Sequence, residues 1–227
     1  MLQKKIKNFV KKELSGWQSV EIVIYAISVL LIFYNAFVLK DSPIAVISAF
    51  CGITYTIIAG KGKLSCYLFG LTGSGFYAYL SFVNCVYGNF ALYLFYYIPM
   101  QLFGIINWKK HLKTATNEIY KTDLKNKQYL ILSSILLCMV FVTGLFYLKD
   151  SHPIFDGITT ALSIVGMYLT VKRCIEQWFI WGIVNLLTAV IWIKLIIAGE
   201  KVYSTAIMWI IYIFLSVYFY REWKKEL

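Results

Sequence analysis

The sequence has little charge, and least of all negative charge. Only 15% of its 227 residues are charged, with 11 acidic residues against 22 basic ones. A soluble domain of this length needs far more polar surface, so that class is excluded. Histidine is limited to His111 and His152, in loops on opposite sides of any membrane arrangement. A membrane enzyme needs a nucleophile–base pair or a metal cluster at one depth, and these two residues supply neither. The five cysteines form no CxxC and have no histidine at metal spacing, so they read as small hydrophobes. Fourteen glycines and three prolines are too few for a fibrous or disordered chain. The basic opening "MLQKKIKNFVKKELSGWQS" leads into a full-length apolar run with no small-residue cleavage pattern, so no cleavable leader is expected. A receptor would carry a signalling domain, and none is evident.

What the chain does have is apolar length. Hydrophobic residues make up 60% of it, with mean hydropathy +0.69. Eight apolar runs fall at 18–39, 43–59, 64–84, 90–107, 129–148, 153–171, 178–197 and 202–220. Each is close to the ~17–25 residues that cross a bilayer. The runs are continuous rather than alternating, so they read as helices and not as barrel strands. The fold class is an all-α polytopic membrane protein with eight spans.

The basic residues sort by side. Eighteen of the 22, from Lys4 and Lys5 through Lys61, Lys63, Lys109, Lys172 and Arg173 to Lys225, lie in one set of alternating loops. Lys40, Lys149 and Lys201 lie in the other set, with Lys194 inside a span near that side. This bias places both termini in the cytoplasm. The positive charge is then topological, and nucleic acid is not a partner.

The chain also repeats. "VLKDSPI" and "YLKDSHPI" introduce the second and sixth spans, with Pro43 and Pro153 110 positions apart. Each proline sits at a helix start, where no backbone donor is needed. "INWKKHL" closes the fourth span and "REWKKEL" the eighth, and Gly70 and Gly182 are equivalent in the third and seventh. Four spans per copy leave both copies in one orientation. A parallel duplication related by an axis along the membrane normal belongs to transporters such as the SWEET carriers, with substrate between the halves.

One span carries a polar stripe. At about 100° per residue, Gln177, Trp181, Asn185, Thr188 and Trp192 fall within about 80° of one another on a helix. Tyr93, Tyr97 and Gln101 form a second stripe at four-residue spacing, interrupted by Pro99, which is expected to kink that span. Counting from span ends at ~1.5 Å per residue, Asn185, Gln101, Tyr212, Ser163 and Ser74 all lie near the bilayer middle. Such residues serve either as interhelical glue or as the wall of a substrate path; glue need not converge in depth, whereas a site must. Of the charged residues near span ends, Glu21 and Lys194 are expected to snorkel to the interface, and Asp156 either to face a helix dipole or to serve at the extracellular mouth. No chain of buried carboxylates offers a proton relay. Trp17, Trp108 and Trp223 are expected in the interfacial belt.

The "WGIVN" of Trp181–Asn185 resembles the WxxxN motif of the PnuC family of bacterial vitamin transporters. "YGNFALYLFYYIPMQLFGIINW" resembles that family's Q-x-x-G-x-x-x-W ending through Gln101, Gly104 and Trp108. The likeness runs from about residue 38 to the end. It implies uptake of nicotinamide riboside across a bacterial inner membrane and trapping by a downstream cytoplasmic kinase; with no carboxylate relay or ion site evident, facilitated diffusion is expected, and no cofactor. It also implies a SWEET-like 3+1+3 arrangement plus an N-terminal helix. The divisions are a tail at 1–17, an extra span at 18–39, a first repeat at 40–108, a loop at 109–128, a linker helix at 129–148, a second repeat at 149–223 and a tail at 224–227. Related members carry thiamine, riboflavin or deoxynucleosides, and these stay as alternatives. The substrate-binding candidates are Trp181, Asn185, Gln101, Gln177, Tyr212, Tyr97, Trp192, Thr188 and Ser163. At the stripe the first half departs, with Ser65, Phe69 and Gly73 in place of Gln177, Trp181 and Asn185. The expected partners are the riboside and the lipid bilayer, and a homo-oligomer is left open.

Overall fold

The computed structural model describes residues 12–13, 15–114, 116–147 and 153–227. Lys4, Lys5, Lys7 and Lys11, and Lys149 with the rest of 148–152, lie outside the described residues, so the repeat segment "YLKDSHPI" is only partly within them. Eight long helices follow in order among the described residues: α1 Ser19–Phe37, α2 Pro43–Gly60, α3 Cys66–Val83, α4 Tyr87–Lys109, α5 Lys127–Tyr147, α6 Pro153–Val171, α7 Glu176–Ile197 and α8 Tyr203–Lys225. Seven are long and apolar enough to cross a membrane. The exception, α3, trades apolar bulk for Gly70, Gly73, Ser74 and Ser81, all buried against its neighbours. Pro43 and Pro153 each occupy the first helical position, where their missing N–H is not needed. Inside α4, Tyr93–Tyr97 widens into a π-helical turn just before Pro99. That extra residue in the turn makes room for the proline ring at the place where the kink is expected.

Six helices close into a ring. The packing runs α2 on α3, α3 on α4, α4 on α6, α6 on α7, α7 on α8 and α8 back on α2. Helix α1 lies outside the ring against α2 and α8, while α5 lies outside against α6. Of the residues on α5 only Ser134 is buried, and Leu132, Leu136 and Val140 are exposed, as a lipid-facing helix requires.

Both ends of the ring are tied. At the end carrying Trp17 and the C-terminal end of α8, residues 110–114 and 116–126 cross from one triplet to the other. Ile119 donates its N–H to Gly62 O (2.9 Å), Thr122 to Arg173 O (3.0 Å), and Ile175 returns a bond to Thr122 O (2.8 Å). Lys63 is 1% exposed there, and its Nζ donates to the carbonyls of Lys12, Glu13 and Ser15 at 2.6–2.7 Å. Burial pushes this ammonium down, opposed by the charges of Glu13 and Glu118. At the other end Asp41 accepts from the N–H of Ser204 (2.6 Å) and so caps the start of α8.

Three expectations about span ends are corrected. Glu21 does not snorkel: it is 2% exposed, pairs with Lys61 at 3.1 Å, and accepts from the N–H of Gln18. A carboxylate with both a cation and a backbone donor has no need to reach water. Trp108 and Trp223 are not belt residues either, since both are fully buried. Trp108 Nε1 donates to Thr170 O (3.0 Å) and Trp223 Nε1 to Gly60 O (2.6 Å). The last carbonyls of a helix lack intrahelical partners; each indole bonds one at the end of a helix from the other triplet, and Thr170 O also accepts from the N–H of Arg173 (3.0 Å). Gly60 must be glycine, because the Phe219 ring occupies the space a Cβ would take.

Candidate functional site

A cavity of about 100 Å³ lies inside the ring, and all six ring helices line it. Helix α3 can approach closely because Gly70 has no side chain: a Cβ there would sit 2.6 Å from Gln101 Oε1 and 2.7 Å from the Tyr55 ring. The lining includes five tyrosines and three tryptophans and no Asp, Glu, Lys, Arg or His. It therefore suits a flat, hydrogen-bonding ring, including a cationic one over an aromatic face, and has no group to neutralise an anion.

The second triplet supplies the amide and indole wall. Gln177, Trp181 and Asn185 lie one helical turn apart on α7 and all line the cavity. Trp181 rests against α6, where a Cβ on Gly166 would be 3.1 Å from its ring, and its Nε1 donates to Thr170 Oγ1 (2.9 Å). The Tyr97 ring meets it edge-on at 5.9 Å. Asn185 donates to Ser216 Oγ (3.0 Å), and Ser216 donates in turn to Tyr212 O (2.7 Å). The first triplet supplies Gln101, whose Nε2 donates to Ser74 Oγ (2.6 Å).

Four polar atoms of lining residues are buried without a protein partner: Gln101 Oε1, Gln177 Nε2, Trp178 Nε1 and Trp209 Nε1. An unpaired buried group costs about 1–3 kcal/mol, so an acceptor and three donors left open around one cavity point to a ligand that completes them. A carboxamide offers the matching set of N–H donors and a carbonyl acceptor.

Of the residues singled out from the sequence, Trp181, Asn185, Gln101, Gln177, Tyr97 and Tyr212 line this cavity. Trp192, Thr188 and Ser163 do not: they are buried in helix packing at 0%, 2% and 2% exposure. Trp192 donates to Tyr77 Oη at 2.7 Å, and Tyr77 closes the cavity on that side among Tyr93, Trp192 and Trp209. Periodicity gives the face of a helix but not the depth at which a cavity ends. Tyr77, Trp209, Trp178 and Thr170 line the cavity and were not singled out. The doublet "QW" placed Trp178 beside the stripe, but at about 100° from Gln177 it reads as off-face. Among the described residues, no group of His, Cys, Asp or Glu is placed to hold a metal ion.

A closed ring of helices around an uncharged, hydrogen-bonding cavity, with lipid-facing helices outside, is the build of a polytopic membrane transporter. Comparison with known proteins agrees. Residues 42–225 match the family model described as nicotinamide mononucleotide transporter, and the chain belongs to this family. It is 36% identical to the nicotinamide riboside transporter PnuC of Neisseria mucosa, over 95% of this chain and 85% of that one. It is 28% identical to the protein of the same name from Haemophilus influenzae, over 93% and 92% of the two chains. The crystal structure of the vitamin B3 transporter PnuC superposes with a TM-score of 0.82 at 34% identity, covering 95% of each chain.

Proposed function

We propose that this chain carries nicotinamide riboside across the bacterial cytoplasmic membrane, with the central cavity as its binding site. The observation that carries this is the cavity's composition: aromatic faces for a pyridinium, and an open Gln101 acceptor and Gln177 donor for its carboxamide. The family description speaks of the mononucleotide, whereas the named relatives are riboside transporters. The absence of any cation in the lining favours the riboside, because a phosphate would be desolvated with nothing to pair with.

The two triplets act as the moving halves. A parallel duplication with α5 as linker and α1 as an addition is supported by the ring order, in which the first helix of each triplet packs on the third helix of the other. It is supported again by the tryptophan–carbonyl pairs, since Gly60 and Thr170 are 110 positions apart, as Pro43 and Pro153 are. The terminus-bearing end faces the cytoplasm by its excess of lysine. Alternating access of the halves releases substrate there, and phosphorylation inside keeps its free concentration low.

The test is calorimetric titration of purified protein with nicotinamide riboside, its mononucleotide, thiamine and riboflavin. Saturable binding of the riboside, with the mononucleotide weaker by about tenfold or more for an unpaired buried phosphate, is the expected result. Preference for thiamine or riboflavin would move the assignment to a different vitamin.

A further inference from the structure

The two tryptophan–carbonyl latches match, but what hangs from their acceptors does not. Gly60, which accepts from Trp223, has no side chain. Thr170, which accepts from Trp108 through its backbone, also lines the cavity and accepts from Trp181 through Oγ1. Its own hydroxyl proton is committed to Gly166 O at 2.9 Å. A hydroxyl has one proton and two lone pairs, so Oγ1 faces the indole purely as an acceptor. A threonine in a helix has few χ1 options, and at 3% exposure this one is packed in place. In the first triplet the position equivalent to Trp181 is Phe69, which has no N–H to give and does not line the cavity.

We propose that Thr170 is a positioning residue for substrate: it sets the Trp181 indole against the cavity and ties that indole to the Trp108 latch. Opening the terminus-bearing end at the α4–α6 seam breaks the Trp108–Thr170 bond and displaces the acceptor that holds the substrate wall. Opening at the α8–α2 seam breaks Trp223–Gly60 and leaves the wall untouched. Coupling between occupancy and gating thus runs through one seam. The proposal rests on Trp181 meeting the riboside.

The experiment is a double-mutant cycle on riboside affinity, measured by calorimetry on purified protein. Thr170→Val keeps the shape, the branching and the backbone carbonyl and removes the hydroxyl, both the acceptor for Trp181 and the donor to Gly166 O, the second of these losses being common to both backgrounds of the cycle. It should weaken binding about tenfold, the scale of one buried donor left unpaired, while Thr170→Ser should restore it to within about threefold. In a Trp181→Phe background, where no N–H remains to be held, Thr170→Val should add less than about twofold. A purely structural threonine would cost the same in both backgrounds, and that result overturns the proposal, as does parental affinity in Thr170→Val. Should Thr170→Val fail to fold, Thr170→Cys, with a weaker acceptor of similar size, must fall between Ser and the loss of the indole N–H in Trp181→Phe; parental affinity there overturns the proposal equally. Unchanged affinity in Trp181→Ala would instead overturn the substrate reading, whatever Thr170 does.

Discussion

The two triplets share a frame and divide the labour. Each begins with a proline at the first position of its first helix and ends with an indole capping the other's carbonyl. Tyr97 and Tyr212, 115 positions apart like Trp108 and Trp223, line the cavity from equivalent helices. Yet the amide–serine pairs are exchanged. In the first triplet the amide is on the third helix and the serine on the second, as Gln101 and Ser74; in the second the amide is on the second helix and the serine on the third, as Asn185 and Ser216. Amides opposed by serines across a common cavity place unlike groups on its two sides, which a strictly symmetric pair could not do. An asymmetric ligand in that cavity would meet a different group on each side; on the proposed reading, symmetry serves the motion and its breaking serves recognition.

The largest expected effect falls on the second triplet. Trp181→Ala removes the aromatic face and should weaken riboside binding by about 3 kcal/mol, combining stacking and cation–π terms, with Trp181→Phe losing less. Calorimetry measures both. Next come the amides: Gln101→Ala and Asn185→Ala should each cost about 1–3 kcal/mol, the price of an unpaired partner in a buried site. Equal binding in Asn185→Ala, with the protein still folded, would return the α7 stripe to interhelical glue.

A smaller effect separates the latches. Trp108→Phe and Trp223→Phe each remove one bond to a helix-end carbonyl and should lower thermal stability by similar amounts, about 1 kcal/mol. Only Trp108→Phe touches the residue that holds Trp181, so riboside affinity should fall more in Trp108→Phe than in Trp223→Phe. The reverse order would break the asymmetric comparison. The smallest effect concerns pH. The lining has no carboxylate, imidazole or ammonium, so riboside binding should change by less than about twofold between about pH 6 and 8, the range in which histidine titrates.

Much of this was legible in the sequence. The eight apolar runs correspond to α1–α8, and the start of α2 at Pro43 follows from the proline alone. The face of α7 was legible too, because an amide and an indole at helical spacing in an apolar run need a common polar neighbour. Less was legible at span ends. A tryptophan there looks the same whether it meets lipid headgroups or caps a distant carbonyl, and only the ring packing brings Trp223 to Gly60. Glu21 was hidden for the same reason, since its partner Lys61 is 40 positions away. Thr170 is one threonine among several in the apolar spans; only its contact with both Trp181 and Trp108 sets it apart.

The central claim is passive carriage of a cationic riboside through an uncharged site. The most direct measurement is uptake of labelled nicotinamide riboside into sealed liposomes containing the purified protein. Three conditions are compared: no gradient, a proton or sodium gradient at zero potential, and an interior-negative potential alone. Without a gradient the label should equilibrate. With the potential it should accumulate as a free cation would, up to ~2.3 kcal/mol per 100 mV, and ion gradients at zero potential should add nothing. Accumulation above the electrochemical equilibrium of the riboside, driven by protons or sodium at zero potential, would contradict the account.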